Sequence, residues 1–325
     1  MSVLDNNKEF RVSRYTPDDR PGWDAFINES ANGTFLFNRS FMDYHRDRFR
    51  DNSYLIWEKA TLFAVFVAGV AVKAEDQTVL VAHPGLTYGG LVHKAGTKYY
   101  ELEKMYDLVL CTAREEGFSK LVLKPVARVF CRNFTEAQEF YFYKNCFVPV
   151  SRDINSVIDL TAEIQLTRAR KKNLRKAESL GLRIEPSSDC SRFYQIMTDS
   201  LHNTHGVTPV HTLPELELLM AANPESIRHY VALLDEEIVG GTLLFMDHLR
   251  GFVHTQYTHA NEVGRDARAI DALVMNTVGE ARTLGLTKLS FGISTLRSEL
   301  NYGLLSQKED FGSEIELMNV YEKQL

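Results

Sequence analysis

The chain has 325 residues, of which 44% are hydrophobic and 25% are charged, and its formal net charge is −6. This length exceeds what one hydrophobic core commonly serves, so two domains are predicted, residues 1–160 and 161–325. The acidic balance excludes a surface covered throughout by nucleic acid, although it allows a local basic site.

The cysteines and the apolar segments indicate a cytoplasmic protein without a structural metal. None of the four cysteines forms a Cys-x-x-Cys pair or has a histidine at zinc-binding spacing, so reduced thiols and no metal site are predicted. The polar segment Met1–Phe10 lacks the apolar stretch of a signal peptide. The longest apolar run, Leu62–Val72, is too short to span a bilayer and is typical of a buried strand.

The first half alternates helical and strand patterns, which favours a mixed sheet with helices on its faces. Predicted helices occupy Pro21–Glu29, Arg39–Phe49, Lys98–Glu116 and Thr135–Lys144, and predicted strands occupy Ser53–Trp57, Leu62–Val72, Val79–Ala82, Lys120–Lys124 and Phe147–Leu160.

The second half repeats much of that order. It begins with a basic helix, Arg168–Glu178, and its longest helix has one apolar stripe. The later helices are predicted at Ser191–Asn203, Leu213–Ala222, Ala267–Leu284 and Asn301–Asp310, and the strands at Leu182–Glu185, Arg228–Leu234, Glu237–Met246, Phe252–His259, Lys288–Ile293 and Glu314–Tyr321.

An internal repeat links the two halves. The segment Ala113–Leu121 resembles Ala281–Leu289, which begins 168 residues later, and each ends a helix at a glycine before an apolar strand. A Lys-x-x-Phe pattern follows in both halves, at Lys144/Phe147 and at Lys308/Phe311. The shared sequence and relative position indicate a duplication.

Four segments in chain order resemble FemAB-type proteins of the GNAT superfamily. They are His83–Leu91 with its Tyr-Gly-Gly, the basic helix Arg168–Glu178, His205–His211, and Phe291–Thr295 followed by Gln307–Gly312. The resemblance implies an α/β (α+β) fold of two tandem GNAT-like domains, each a mixed β-sheet flanked by helices. The chain departs from the family at Leu296 and Tyr302, where members often carry an acidic residue, and it lacks the coiled-coil arm of some members.

The resemblance implies an acyltransferase that moves an acyl or aminoacyl group onto an amine of a cell-envelope or polysaccharide precursor. The acceptor would be a small molecule or a nucleotide- or lipid-linked amine. The donor would be an acyl-CoA such as acetyl-CoA, or an aminoacyl-tRNA, which would make tRNA a partner. The alternative is a non-catalytic GNAT-fold ligand-binding protein. A monomer and a homodimer are both compatible with the sequence.

Three residues are candidates for the chemistry. The resemblance implies that Lys308 stabilises developing negative charge, as an ammonium group near an acyl carbonyl would. Tyr257 could protonate a leaving group, and His205 could take up a proton near neutral pH. Alternation along Phe252–His259 predicts His254, Gln256 and Thr258 on one face of the strand and Tyr257 on the other. The alternatives are a surface lysine, a core tyrosine and a histidine that caps a helix.

Binding residues are predicted in three places. Substrate contacts are expected at the Tyr-Gly-Gly turn, in the loop between the helices Ser191–Asn203 and Leu213–Ala222, and on the basic helix, whose cations would hold phosphates. The loop that opens the longest helix would hold the pyrophosphate of coenzyme A. The alternatives are a hairpin turn, packing around a helix end, and solvated charges. The substrate-binding candidates are Tyr88, Gly89, Gly90, His211, Arg168, Lys172 and Arg175, and the coenzyme A candidates are Arg265, Asp266, Ala267, Arg268 and Ala269.

Overall fold

A computed structural model describes residues 8–133, 136–296 and 298–325, without the side chains of residues 204 and 205. The chain forms two compact units, one comprising the residues up to Arg152 together with Leu317–Leu325, and the other Asp153–Glu316.

The helices are α1 Arg20–Glu29, α2 Arg39–Met42, α3 Tyr99–Glu115, α4 Ala137–Lys144, α5 Arg168–Ser179, α6 Ser191–His205, α7 Leu213–Ala222, α8 Glu262–Asp266, α9 Ala269–Thr283 and α10 Tyr302–Glu309. The strands are β1 Phe10–Arg14, β2 Phe49–Asp51, β3 Tyr54–Glu58, β4 Thr61–Val67, β5 Gly69–Ala71, β6 Val79–Val81, β7 Gly90–His93, β8 Lys120–Leu123, β9 Val148–Asp159, β10 Arg183–Pro186, β11 Ile227–Leu234, β12 Glu237–Asp247, β13 Phe252–Ala260, β14 Lys288–Ile293, β15 Thr295–Leu296, β16 Glu299–Leu300 and β17 Glu314–Gln324.

The first unit contains an antiparallel sheet in the order β1-β3-β4-β7 and strands in the order β17-β8-β6-β5-β2, in which β6 and β8 run parallel. Helix α3 places one apolar face in the core, where the rings of Tyr106 and Tyr141 stack with centroids 4.6 Å apart. The buried α3 residues Leu102, Met105, Tyr106 and Val109 recur at helical spacing, in a segment where the sequence predicts a helix over Lys98–Glu116.

The second unit has strands in the order β10-β11-β12-β13-β14-β9, and only the pair β13–β14 is parallel. Helix α9 packs its apolar stripe, including Leu273 and Val278, onto one sheet face. Helix α6 lies against the other face, where Phe193 packs so closely that a Cβ on Gly241 would lie 2.7 Å from its ring. The sheet is therefore covered on both faces, as a strand–helix–strand order predicts.

The pairing of strands β17 and β9 determines to which unit each strand belongs. Strand β17 pairs with β8 in the first unit, with Tyr321 opposite Leu123. Strand β9 pairs with β14 in the second unit, with Ile158 opposite Leu289. The predicted division after residue 160 assigned the C-terminal strand to the second domain, whereas Leu317–Leu325 belongs to the first unit.

Gly89 lies where two backbone segments meet. A Cβ there would lie 2.8 Å from the Ala82 carbonyl oxygen and 3.1 Å from that of Val67, and backbone cannot move away as a flexible side chain can. We expect Gly89→Ala to lower the free energy of unfolding by about 2 kcal/mol. Gly279 in helix α9 has no atom within 4 Å of such a Cβ, so Gly279→Ala should raise that free energy by about 1 kcal/mol. Urea titration of both variants checks the pair, and equal effects would contradict the close approach.

Candidate active site

Strands β13 and β14 separate in the middle of the second sheet. They pair in parallel at only three positions, ending at His254 opposite Ser290, although β13 continues to Ala260. Strand β14 instead follows β9, and Ile293 pairs with Asn155. We call this separation the β13–β14 splay. The backbone of β13 beyond His254 has no strand beside it on the β14 side in the described part of the chain, so a bound group could lie there.

A bulge changes which side chains of β13 share a face. The β12–β13 register runs from Leu243 opposite Tyr257 to Leu244 opposite Thr255, so Gln256 is an extra residue. The predicted simple alternation is therefore wrong. After the bulge Thr258 bonds Thr242 on the α9 side, and Tyr257 shares the opposite face with His254.

Lys308 lies at the end of the splay. It comes from the last turn of α10, and its Nζ donates to the carbonyl oxygens of Gly292 at 2.9 Å and Ile293 at 2.8 Å. The residue is 8% exposed, and burial lowers its pKa to about 8. The corresponding lysine of the first unit, Lys144, is exposed and paired with Glu103 at 2.6 Å. The two copies of the repeat therefore place the same residue in opposite environments.

Polar residues under Lys308 form a buried hydrogen-bonded group. Ser290 and Asn155 are fully buried and joined by a 2.9 Å hydrogen bond, and the Nδ1 of His254 lies 3.1 Å from the Ser290 hydroxyl. Desolvation, and secondarily the charge of Lys308, lowers the pKa of His254 to about 4. These residues were not candidates from the sequence. One feature of the sequence could have indicated this group: Ser290 lies between the apolar residues Leu289 and Phe291 of a predicted strand, and a buried hydroxyl requires hydrogen-bond partners.

Tyr257 and His211 are neighbours across the α6 face of the sheet. The Nδ1 of His211 lies 2.7 Å from the Tyr257 hydroxyl, and His211 is buried. Burial is the main cause that raises the pKa of Tyr257, so the phenol keeps its proton at neutral pH. Helix α6 ends at His205, whose side chain lies outside the described residues, so its role stays a prediction.

The predicted coenzyme A loop is a short helix followed by a left-handed residue. The amides of Ala267 and Arg268 donate to carbonyls within helix α8 and its end, and Ala269 starts helix α9 with its methyl group buried. Arg268 has φ +65°, while Arg265 donates to the Ala260 carbonyl and Asp266 is exposed. Arg265 is exposed but already bonds the Ala260 carbonyl, Arg268 is half-buried, and two loop amides are already used.

The basic helix α5 has two different faces. Arg170 and Asn173 point to α9, where both bond the Oδ1 of Asp271 at 2.9 and 3.1 Å. The other basic side chains are exposed: Arg168, Lys171, Lys172, Arg175 and Lys176. The predicted phosphate contacts Arg168, Lys172 and Arg175 thus lie on one accessible cationic surface.

The Tyr-Gly-Gly turn lies in the core of the first unit. Tyr88 is 1% exposed and its hydroxyl donates to Thr34 at 3.1 Å. Gly89 donates its amide to the carbonyl of Lys124 at 2.7 Å. Lys124 directly follows β8, at a point where the pairing of β8 with β6 has already ended. Gly90 has φ +91°, which favours glycine. These contacts explain the motif by packing, and the site described above does not include it.

Three further observations concern possible metal sites, membrane-spanning helices and the two positions where an acid was expected. Within the described ranges, no group of three or more His, Cys, Asp or Glu side chains is arranged to hold a metal ion. Among the same residues, no helix is both long and apolar enough to cross a membrane. Leu296 and Tyr302, at the places where an acid was expected, are 75% and 77% exposed.

Comparison with known proteins identifies the fold. No family model and no curated protein matches the chain. Its structure is similar to that of FemX, with a TM-score of 0.70, 12% identity and 97% coverage of both chains. It is similar to L-PGS from Bacillus licheniformis, with a TM-score of 0.61, 11% identity and coverage of 94% and 91%. A tandem GNAT protein from the clavulanic acid biosynthesis pathway gives a TM-score of 0.57, 9% identity and coverage of 97% and 98%. The predicted fold is confirmed: the chain has the α/β architecture of FemX and the tandem GNAT protein, with mixed sheets flanked by helices.

Proposed function

We propose that this chain is an acyltransferase that moves an acyl or aminoacyl group onto an amine of a cell-envelope or polysaccharide precursor. The observation that carries the proposal is the β13–β14 splay with the buried ammonium group of Lys308 at its end. The fold shared with FemX and L-PGS supports the same class of reaction.

The geometry suits charge stabilisation during acyl transfer. The acceptor nitrogen attacks the acyl carbon, and negative charge develops on the carbonyl oxygen. Lys308 uses two N–H groups on the carbonyls of Gly292 and Ile293, and its third N–H can donate to that oxygen. Because the lysine is buried and already held, this stabilisation needs little reorganisation during the reaction.

The leaving group requires a proton when the carbon–sulfur or carbon–oxygen bond breaks. Tyr257 is protonated at neutral pH and lies on the same strand as the splay, so we assign it as the donor. The attacking amine releases one proton as the new bond to carbon forms, and His211, whose Nδ1 is in hydrogen-bonding distance of the phenol, would take up that proton and return it to Tyr257. Neither step needs a carboxylate at Leu296 or Tyr302.

Two surfaces could hold the donor. Arg265 and Arg268 flank the start of α9 and would contact the phosphates of an acyl-CoA. The exposed face of α5, with Arg168, Lys172 and Arg175, would contact the phosphates of an aminoacyl-tRNA. The exposed α5 face is the larger cationic surface, which favours a polynucleotide donor.

The proposal is tested by measuring transfer from acetyl-CoA and, separately, from aminoacyl-tRNA to hydroxylamine, a small amine acceptor. Product hydroxamate is quantified after subtracting the uncatalysed reaction. We expect turnover with one donor. Turnover with neither donor contradicts the proposal, and binding of a donor without turnover favours the alternative of a non-catalytic ligand-binding protein.

A substitution at the splay tests where the donor binds. The Thr255 hydroxyl lies 3.5 Å from the Ser290 carbonyl oxygen, directly after the last paired residue of β13. We expect Thr255→Trp to fill the splay and raise the donor KM at least tenfold. Thr283→Trp makes the same change on the exposed end of α9 and should leave KM within twofold. Equal KM values for the two variants would show that the donor does not bind in the splay.

A further inference from the structure

We propose that Ser290, held by Asn155, is a positioning residue that fixes both the ammonium group of Lys308 and the tautomer of His254. The inference rests on the proposed function only where it links this arrangement to turnover. The arrangement itself follows from the hydrogen bonds around one buried hydroxyl.

The Ser290 hydroxyl has one proton and three hydrogen-bond partners. Its Oγ lies 2.9 Å from Asn155 Oδ1, 3.2 Å from the amide nitrogen of Gly292 and 3.1 Å from His254 Nδ1. The Asn155 amide group is oriented by its Nδ2, which donates to Glu316 Oε2 at 3.4 Å, so its Oδ1 faces the serine. A carbonyl oxygen can only accept, and therefore the single serine proton goes to Asn155.

The two remaining partners must then be donors to Ser290. The Gly292 amide is a donor by its chemistry. His254 Nδ1 must carry its proton to make the third bond, which selects the tautomer with hydrogen on Nδ1. An imidazole in water can carry its proton on either ring nitrogen. The Ser290–Asn155 pair instead selects the form of His254 that is protonated on Nδ1.

The same serine lies two and three residues before Gly292 and Ile293, whose carbonyls hold Lys308. Gly292 has φ +74°, and this left-handed turn directs its amide to Ser290 and its carbonyl to Lys308. The β14–β9 register is irregular between Ser290 and Ile293, so regular strand pairing does not support the turn. Loss of the serine hydroxyl would leave the Gly292 amide without this acceptor and would loosen the anchor of the ammonium group.

A neutral His254 matters for the same site. A protonated imidazole beside Lys308 would add a second positive charge, and the lowered pKa of His254 agrees with its neutral form. The ammonium group of Lys308 can then act on a developing oxyanion while His254 stays uncharged.

The test compares Ser290→Ala with Ser156→Ala. Ser156 is also fully buried and neighbours Asn155, but its hydroxyl has no hydrogen-bond partner among the described residues. NMR of protein labelled with 15N-histidine reports which ring nitrogen of His254 carries the proton, and His254→Asn identifies its signal. We expect an Nδ1 proton in the wild type and in Ser156→Ala, and a smaller Nδ1-protonated fraction in Ser290→Ala.

Kinetics gives the second readout. We expect Ser290→Ala to lower kcat about 10- to 100-fold with the donor KM within twofold, because donor contacts stay and only Lys308 is misplaced. A wild-type His254 protonated on Nε2 would overturn the proposal without any variant, as would a Ser290→Ala enzyme with unchanged kcat. If the wild type shows no transfer at all, the proposed function fails, while the NMR result still decides whether Ser290 sets the tautomer.

Discussion

Replacing Lys308 with methionine is expected to reduce kcat about 10²- to 10³-fold without lowering the free energy of unfolding at pH 7. The rate loss is the effect of removing one preorganised donor to an oxyanion. Stability should not fall, because the ammonium group is desolvated in the folded protein and a methionine of similar length fills the same space.

The pH dependence of stability gives an independent check on Lys308. Its pKa is lowered from 10.5 to about 8, so between these values the unfolded chain binds more protons than the folded chain. Stability of the wild type relative to Lys308→Met should therefore rise with pH across that window, by about 3 kcal/mol in total. Below pH 8 both states carry the proton, and the difference is constant.

Urea titrations of both proteins from pH 7 to 11 measure this difference. The matched control is Lys144→Met, since Lys144 occupies the corresponding place in the repeat but is exposed and paired with Glu103. That variant should keep full turnover and change stability by less than about 0.5 kcal/mol. If Lys308→Met folds normally and turns over as fast as the wild type, Lys308 has no role in the reaction.

The sequence predicted the elements around the site better than the site itself. The long helix of the second half and the strand Lys288–Ile293 appear in the structure as α9 and β14, because each has a strong hydrophobic period and the helix a glycine after its end. The pairing of β17 with β8 depends on residues nearly 200 positions apart, and no local pattern specifies it. For that reason the C-terminal strand was assigned to the other half.

The bulge at Gln256 shows a second limit of local patterns. Strict alternation assigns each side chain of β13 to one face of the sheet. One extra residue moves every later side chain of the strand to the opposite face. Nothing in the residues Thr255–Tyr257 distinguishes a bulged strand from a regular one. His254 was therefore grouped with Thr258 rather than with Tyr257, and the polar group around Ser290 was missed.

The Tyr-Gly-Gly turn illustrates how a motif can indicate a close approach of the backbone without indicating the partner. Glycines mark positions where backbone approaches something closely, which can be a ligand or another strand. At Gly89 the neighbours are the carbonyls of Ala82 and Val67, both within the first unit. The sequence indicates the close approach but not the partner.

Replacing Arg170 with methionine is expected to lower the free energy of unfolding by about 3 kcal/mol. The Arg170 guanidinium bonds Asp271 at 2.9 Å and covers the ring of Phe311 at 4.6 Å, and the Asp271 side chain is only 6% exposed. Without the arginine, a buried carboxylate in the first turn of α9 keeps Asn173 as its partner but loses its counter-charge.

A double variant separates charge from packing. Arg170→Met combined with Asp271→Leu removes both buried charges, so it should recover more than half of the stability lost in the single variant. Urea titration of the wild type, both single variants and the double variant measures the coupling. Additive losses would mean that packing on Phe311, rather than the ion pair, holds helix α5 in place.

The outward face of α5 should respond differently from its inward face. Lys172→Gln and Arg175→Gln alter exposed side chains, so stability should change by less than about 0.5 kcal/mol. If this face contacts the phosphates of the donor, both variants should raise the KM for aminoacyl-tRNA and make that KM less dependent on salt concentration. The KM for acetyl-CoA should stay unchanged. One helix would thus contribute a structural ion pair on one side and a donor-binding surface on the other. Its composition alone, six basic residues among twelve, cannot assign Arg170 to the first role and Lys172 to the second.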